Sequence, residues 1–208
     1  MKKLGREEYN QESLQRLVRS VTFFKDISKL DKEQFELLLS VCTFVQADAG
    51  DIVLTKGESA SALFFLLKGQ MTVLSDADQS LNLIHPGEVF GTLSMVTGRD
   101  RSATVKAETD VVLMSIDFEH FNNINDFNMF KLDTKLIAYR MVVHNIRWTL
   151  ELNKMQSPEH PLVQRILKLP IYTGARGGQE ELTFLHEQSY QLADLLCEWN
   201  ESDQACLA

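Results

Sequence analysis

The segment from Phe90 to Ala107 reads FGTLSMVTGRDRSATVKA and carries more information about the fold than any other stretch. Gly91 lets the backbone approach a ligand closely, and the small and hydroxyl side chains that follow suit the first turn of a short helix. Arg101 adds a planar guanidinium that can bind an anion through two hydrogen bonds. These residue types are typical of a phosphate-binding loop, although a surface turn also carries glycine and arginine, so both interpretations stay open.

Short apolar segments separated by glycines surround this stretch. The segments are 51–54, 62–67, 71–74, 81–84, 102–105 and 111–116. Segments of this length with turn residues between them are typical of antiparallel β structure. The pattern predicts an α+β fold with a jelly-roll-like β-roll (a double-stranded β-helix) at about 44–118.

Helical patterns flank the predicted roll. Asp31 is expected to cap a helix in the first forty residues, with Gln34 completing a capping box. The segment 128–155 has no Pro or Gly and repeats its apolar residues every three or four positions. A helix of that length would reach about 42 Å. Either it forms a dimer seam or it packs against its own β-roll.

The C-terminal part is separated by two X-Pro pairs, Ser157-Pro158 and His160-Pro161, which disfavour helix. After them we expect a short helix at 162–169, a loop at 173–178, a strand at 182–185 and an amphipathic segment from His186. The sequence thus predicts a sensor domain at 1–156 and a small C-terminal domain at 162–208.

The order and spacing of the motifs resemble the cyclic-nucleotide-binding domain family over roughly 23–155. The family's cassette has Phe-Gly-Glu-Leu, about eight variable residues, and then Arg-(Ser/Ala)-Ala-Thr-Val-x-Ala. This chain matches the cassette without a gap at Phe90-Gly91, Leu93, the segment 101–105 and Ala107.

The resemblance also implies the roles of individual cassette residues. The Arg101 guanidinium would neutralise a cyclic phosphate, and backbone N–H groups near Ser102 and Ala103 would complete the anion contacts. The Ser102 hydroxyl could add one further bond. Gly91 would lie close to the ribose.

One position departs from the family pattern. The family's glutamate, which accepts a hydrogen bond from the ribose 2′-hydroxyl, is Thr92 in this chain. A hydrogen bond to a charged group contributes about 1.5–3 kcal/mol, which corresponds to roughly ten- to hundredfold in affinity. Three outcomes remain open: weak cAMP or cGMP binding, a different anionic ligand, or a roll kept as a scaffold without a ligand.

The long helix resembles the dimerisation helix of Crp/Fnr-type regulators, the bacterial catabolite activators and anaerobic regulators. The resemblance implies a homodimer and a helix that closes over the base, with Asn145 and Thr149 as candidates for base contact. A lone histidine on this helix, His144, could ligate haem or a metal, but such histidines are usually structural.

The C-terminal segment 192–196, followed by Glu201-Ser202, resembles the helix-turn-helix of the same regulators, as part of a partial winged helix. However, residues 177–208 contain seven acidic residues and no Lys or Arg. Base edges and phosphates are bound mainly by cationic and amide side chains, so DNA binding is possible but disfavoured. Trp199, Leu195, Leu196 and Leu207 would contact a protein partner or form the core of the small domain.

Composition limits the remaining functions. The net charge is −8, so the chain as a whole does not attract polyanions. No apolar run is long enough to span a bilayer, and Cys42, Cys197 and Cys206 form no disulfide or zinc pattern, which favours a cytoplasmic protein. A redox role for these thiols stays open. The five histidines are scattered, so we expect neither an enzyme nor a metal site, and no required cofactor.

Overall fold

The computed structural model describes residues 2–3, 11–76 and 78–207. For 11–13 and 203–207 it describes the backbone alone. The chain divides into two compact units, 1–120 and 121–208. The sequence-based boundary near 156–162 differs from this division, because the long helix falls in the second unit. Its helical partner is the C-terminal helix, which the sequence analysis had not predicted as one element.

The first unit begins with helices and continues as strands. Its helices are α1 (Gln11–Ser20), α2 (Thr22–Leu30), α3 (Lys32–Val41) and α4 (Thr92–Thr97), and α5 (Glu119–Asn122) lies at the boundary of the units. Its strands are β1 (Lys2–Lys3), β2 (Thr43–Ala47), β3 (Ile52–Leu54), β4 (Ala62–Lys68), β5 (Met71–Leu74), β6 (Ser80–Ile84), β7 (Val89–Phe90), β8 (Thr104–Ala107) and β9 (Val111–Asp117). Each predicted strand segment of the roll overlaps one of these strands.

Two antiparallel sheets form the roll, with strand orders β1-β2-β9-β4-β7 and β3-β8-β5-β6. Most of the residues between them are aliphatic, and Met71, Leu66 and Leu113 are completely buried. Alternation of inward and outward side chains along each strand places these residues on the inner faces. The predicted β-roll is therefore confirmed.

The N-terminal helices attach to the roll through aromatic rings. Phe23 and Phe24 pack on each other at 4.8 Å and on Phe65 of β4 at 5.3 and 4.7 Å. Asp31 caps α3 as predicted, since its carboxylate accepts hydrogen bonds from the N–H groups of Glu33 and Gln34 at 2.9 and 3.1 Å. The N–H of Asp31 itself donates to the Ile27 carbonyl and closes α2.

The second unit contains α6 (Leu132–Gln156), α7 (Val163–Leu167) and α8 (Gln179–Leu207), and α6 packs against α8. The helix predicted over 128–155 is confirmed as α6. The strand predicted at 182–185 is wrong, because these residues lie in α8. Leu182, Leu185, Leu192 and Trp199 are buried at helical spacing, and this long apolar stripe outweighs the local strand-like pattern.

The helix-turn-helix resemblance requires a turn between Leu196 and Glu201, and that expectation is also wrong. α8 runs through this region without interruption, since the segment contains neither Pro nor Gly. Trp199, Leu195 and Leu196 are buried in the unit's own core rather than presented to a partner. The side chains of Leu207 and Cys206 lie outside the described residues. Among the described residues, no helix combines the length and apolarity needed to cross a bilayer.

Candidate functional site

The loop between β7 and β8 begins with a glycine in a left-handed conformation. Gly91 has φ of 80° and is the N-cap of the short helix α4. A Cβ atom at this position would lie 2.6 Å from Nη1 of Arg101. Gly98 ends the helix at φ of 65°, and its N–H donates to the Ser94 carbonyl at 3.0 Å. Glycine at position 91 is thus required both by the backbone and by the packing of the arginine.

Arg101 is turned into the protein and is only 7% exposed. Its Nη2 donates to the carbonyl of Ala62 at 2.6 Å, and its Nη1 donates more weakly to the carbonyl of Gly91 at 3.4 Å. Burial lowers the pKa of Arg101, and the charge of Glu58 opposes that shift. The guanidinium keeps its charge in this setting because such a group stays protonated in proteins.

Two aromatic rings complete the surroundings of the guanidinium. Its carbon lies 5.7 Å from the ring centre of Phe64 and 5.8 Å from that of Phe118. Contacts of this type contribute about 0.5–2 kcal/mol, and more as the cation loses water. Sequence reasoning had not found either ring, since both are distant from Arg101 along the chain.

The loop 55–58 fixes the backbone on the other side of the arginine. Gly57 donates its N–H to the carbonyl of Arg101 at 2.9 Å, and the N–H of Arg101 donates to the carbonyl of Glu58 at 2.9 Å. The Lys56 N–H donates to the Thr104 hydroxyl at 3.1 Å. This loop was also missed from the sequence, and it brings the carboxylate of Glu58 within electrostatic range of the guanidinium.

The other predicted cassette residues differ in their exposure to solvent. Thr92 and Leu93 are buried in the first turn of α4, while Ser102 is exposed and Ala103 is half-buried beside Arg101. The structure thus brings the predicted cassette residues of the first unit together around one loop. Thr92 offers a short, buried hydroxyl at the position where the family has a carboxylate.

The remaining predicted residue, Thr149, lies on α6 in the second unit. Its hydroxyl donates to the carbonyl of Asn145 at 3.1 Å, a local bond within the helix. Contact between this residue and a base stays a prediction.

The first unit also contains a thiol and a cluster of possible metal ligands. Burial raises the pKa of Cys42 to about 12, so this thiol is inert at neutral pH. Asp117, Glu119 and His120 place ligand atoms within 4.8 Å of one another. Their two carboxylates are exposed, and such groups gather on surfaces without an ion. The loop of Arg101 is therefore the candidate site, because it holds a buried guanidinium of the kind that binds anions.

Comparison with known proteins shows what this part of the chain is similar to. Residues 44–126 match the family of the cyclic nucleotide-binding domain. The potassium/sodium hyperpolarization-activated cyclic nucleotide-gated channel 2 of Mus musculus is 22% identical over 174 residues, covering 78% of this chain and 20% of the channel. The cGMP-dependent protein kinase 2 of Homo sapiens is 30% identical over 117 residues, covering 53% of this chain and 15% of the kinase. The chain therefore spans about a fifth or less of these relatives.

Solved structures agree on the fold. A cyclic nucleotide-binding domain from Methylobacillus flagellatus KT superposes with a TM-score of 0.60 at 19% identity. The match covers 76% of this chain and 89% of that domain. At this identity the likeness supports the architecture of β-roll and helices alone.

Proposed function

We propose that this chain is a non-enzymatic regulatory sensor that binds a cyclic nucleotide or a related anion at Arg101, and the match of residues 44–126 to the cyclic nucleotide-binding domain supports this proposal. The observation that carries the proposal is the geometry of the loop. Gly91 leaves the space that the guanidinium occupies, and the backbone of the loop 55–58 fixes Arg101 from the other side. A cation held in this way is preorganised for a phosphate.

A second function is favoured by the hydrogen bonds of Arg101 itself. The guanidinium already donates to two backbone carbonyls and lies near two aromatic rings. Thr92 also lacks the carboxylate that would accept a ribose hydroxyl. Under this second proposal the arginine stabilises the roll, and the domain serves as an interaction scaffold without a ligand.

We also propose that the chain acts as a homodimer through α6. Met141, Trp148 and Met155 follow one another at steps of seven residues along α6. Met141 is half-buried, whereas Trp148 is 55% exposed and Met155 is 74% exposed. Apolar residues at heptad spacing form the seams of paired helices. The opposite face of α6 packs on α8, so this stripe is available to a second copy.

Binding to DNA is not part of the proposal. α8 continues where a recognition helix would need to begin separately, and residues 177–208 supply no Lys or Arg for phosphates.

Calorimetric titration and thermal unfolding with cAMP, cGMP and cyclic dinucleotides test the sensor proposal. A ligand that binds only the folded state stabilises it by about 2.7 kcal/mol at a hundredfold excess over Kd. We expect Arg101→Lys to weaken binding at least tenfold, because an ammonium cannot reproduce the planar fork. The matched control is Arg99→Lys, since Arg99 is exposed two residues earlier. Lack of heat and of stabilisation with every nucleotide would favour the scaffold instead.

A further inference from the structure

Two oppositely charged side chains meet at the end of the four-stranded sheet, next to the proposed sensor site. Nζ of Lys56 donates to both carboxylate oxygens of Asp76, at 2.8 and 2.7 Å. Lys56 follows β3 by two residues, and Asp76 follows β5 by two residues. In the sheet, β8 lies between these two strands. The ion pair therefore joins the two neighbours of β8, and we call it the Lys56–Asp76 clamp.

The register of the sheet shows which part of the chain the clamp joins. Leu74, the last residue of β5, pairs with Thr104, the first residue of β8. Because the two strands are antiparallel, the same register continued by two residues places Asp76 level with Ser102. On the other side of β8, the N–H of Lys56 donates to the Thr104 hydroxyl at 3.1 Å. The clamp thus lies at the level of Ser102, where the cassette leads into β8.

The clamp also connects the loop 55–58, which fixes Arg101, to a second part of the sheet. The N–H of Gly57 donates to the carbonyl of Arg101, and the N–H of Arg101 donates to the carbonyl of Glu58, each at 2.9 Å. Lys56 belongs to this loop, so an ion pair that holds Lys56 restrains the backbone partners of Arg101 as well. Asp76 follows β5, which pairs with both β6 and β8. The loop is therefore attached to β5 as well as to its own strand.

Anion binding at this loop requires several groups in one place. The family resemblance implies that backbone N–H groups near Ser102 and Ala103 act together with the Arg101 guanidinium. A binding site must hold its groups within about 0.5 Å of the productive geometry. Neighbouring strands lie about 4.8 Å apart, so β3 and β5 are separated by roughly 10 Å, and a lysine with its four-carbon stem can bridge much of that gap. Position 56 thus has a side chain suited to fixing the start of β8.

We propose that the Lys56–Asp76 clamp positions the segment 101–103 for anion binding, an inference that rests on the proposed sensor function. Both are positioning residues: they act through the loop 55–58 and the start of β8, and not by contact with the ligand. Lys56 is 36% exposed and Asp76 is 60% exposed. An ion pair this exposed shifts an equilibrium by at most about fivefold. The clamp should therefore change the affinity for all anionic ligands by a modest and similar factor.

Charge reversal tests the clamp by calorimetric titration of the full chain with cAMP. Lys56→Glu and Asp76→Lys each place like charges face to face, and each is expected to weaken binding by roughly threefold or more. The double variant Lys56→Glu/Asp76→Lys restores opposite charges, so its affinity should return to within about twofold of the parent. Long-range attraction would give another pattern, because the positive charge added by Asp76→Lys would strengthen the binding of an anion.

Two controls apply the same charge changes at other exposed positions of the first unit. Lys68→Glu and Glu108→Lys should leave the affinity for cAMP within about twofold of the parent. The melting temperature of every variant serves as the folding check.

Amide hydrogen exchange tests the clamp without a ligand. The N–H groups of Gly57 and Arg101 form the backbone bonds between the loop 55–58 and the cassette. Both should exchange roughly threefold faster or more in Lys56→Glu and in Asp76→Lys, because local opening becomes easier. The double variant should exchange at the rate of the parent.

Three results would overturn the clamp. Stronger binding by Asp76→Lys with weaker binding by Lys56→Glu would show that the two side chains act on the ligand by charge. Affinity and amide exchange unchanged in both single variants would show that the segment 101–103 is held without the pair. A double variant no better than the single ones would show that the two residues do not act together. If the parent binds no cAMP while the amides respond as expected, the sensor proposal fails at cAMP and the hold of the clamp on the segment stands.

Discussion

Nη2 of Arg101 donates a hydrogen bond of 2.6 Å to the carbonyl oxygen of Ala62, which lies 39 residues earlier in the chain. The bond joins the loop between β7 and β8 to the first residue of β4. A phosphate that binds both Nη groups of the guanidinium must displace this carbonyl. Breaking the existing hydrogen bond therefore reduces the net free energy of binding. Under the sensor proposal, the affinity for a phosphate would depend on that exchange as well as on the identity of residue 92.

The close approach of Gly91 and Arg101 predicts different costs for two glycine substitutions in α4. Both Gly91 and Gly98 have positive φ, but a Cβ at Gly98 would meet no atom within 4 Å. Gly98→Ala should therefore lose about 1 kcal/mol from left-handed backbone strain alone. Gly91→Ala adds a 2.6 Å contact with Nη1 and should lose roughly 3 kcal/mol or more.

Urea unfolding of both variants, followed by circular dichroism, checks this difference. Equal losses for Gly91→Ala and Gly98→Ala would show that the guanidinium is not fixed where Gly91 leaves space for it. Fluorescence of Trp148 and Trp199 reports the second unit separately, because both tryptophans lie there. A difference between the two signals would also reveal unfolding in more than one step.

Residue 92 should control discrimination between ribose and deoxyribose. The family resemblance implies a carboxylate that accepts the 2′-hydroxyl, and Thr92→Glu would restore it. We expect cAMP or cGMP to bind roughly ten- to hundredfold more tightly to this variant, as a hydrogen bond to a charged group predicts. The 2′-deoxy analogue should gain less than threefold.

Thr92→Gln is the control, because glutamine has nearly the size of glutamate but no charge. Calorimetric titration measures the affinity of each variant for the ribose and deoxyribose ligands. Because Thr92 is buried, the melting temperature of both variants must be compared with that of the parent. Equal gains for the ribose and deoxyribose ligands would contradict a contact between residue 92 and the 2′-hydroxyl.

The sequence was informative wherever local chemistry determines structure. Asp31 is a good acceptor for free helix N–H groups, and glycines separate strands that alternate in burial, so the cap of α3 and the strands of the roll could be predicted. The inward position of Arg101 could not, because it depends on Ala62, Phe64 and Phe118, which are close only after folding. The order of the cassette residues indicates Arg101 as the candidate arginine but does not give its hydrogen-bond partners.

The C-terminal helix α8 is a region where local sequence patterns gave wrong predictions. Leu182 to Leu185 has the composition of a short strand, and Leu192 to Leu196 resembles the first helix of a helix-turn-helix. Both local patterns lose to a single apolar stripe that buries Leu182, Leu192 and Trp199 along one continuous helix. Tertiary burial over about five helical turns outweighs propensity over four residues.

Glu181 and Arg140 should make the second unit sensitive to acid. Arg140 donates to the Glu181 carboxylate from Nε at 2.8 Å and from Nη2 at 2.7 Å, and the Gly177 N–H donates to it at 2.6 Å. The hydrogen bonds from Arg140 are the main cause that lowers the pKa of Glu181. A folded-state pKa below the unfolded value stabilises the protein above the unfolded pKa, and this contribution is lost as pH falls through the folded one.

We therefore expect Glu181→Gln to lower the free energy of unfolding at pH 7 by about 1–2 kcal/mol, with the lower end favoured because Arg140 is partly exposed to solvent. The gap between variant and parent should close as the pH falls through the folded-state pKa of Glu181, which lies below the ordinary value of a glutamate. The neighbouring exposed Glu180→Gln is the control and should change little. Urea titrations at pH 3, 5 and 7 measure the difference, and a gap independent of pH would contradict the assignment.

The exposed stripe on α6 gives a direct test of the proposed dimer. Trp148 lies midway between Met141 and Met155, so in a symmetric helix pair it would be shielded from water by the second copy. Trp148→Lys places a charge in that seam and should shift the dimerisation constant by at least a hundredfold, as sedimentation velocity over a concentration series would show. Leu30→Lys, at an apolar residue 56% exposed in the first unit, is the matched control and should leave association unchanged. If the parent sediments as a monomer at every concentration, or if both variants associate equally, the stripe on α6 is not the seam and its exposed tryptophan requires another partner.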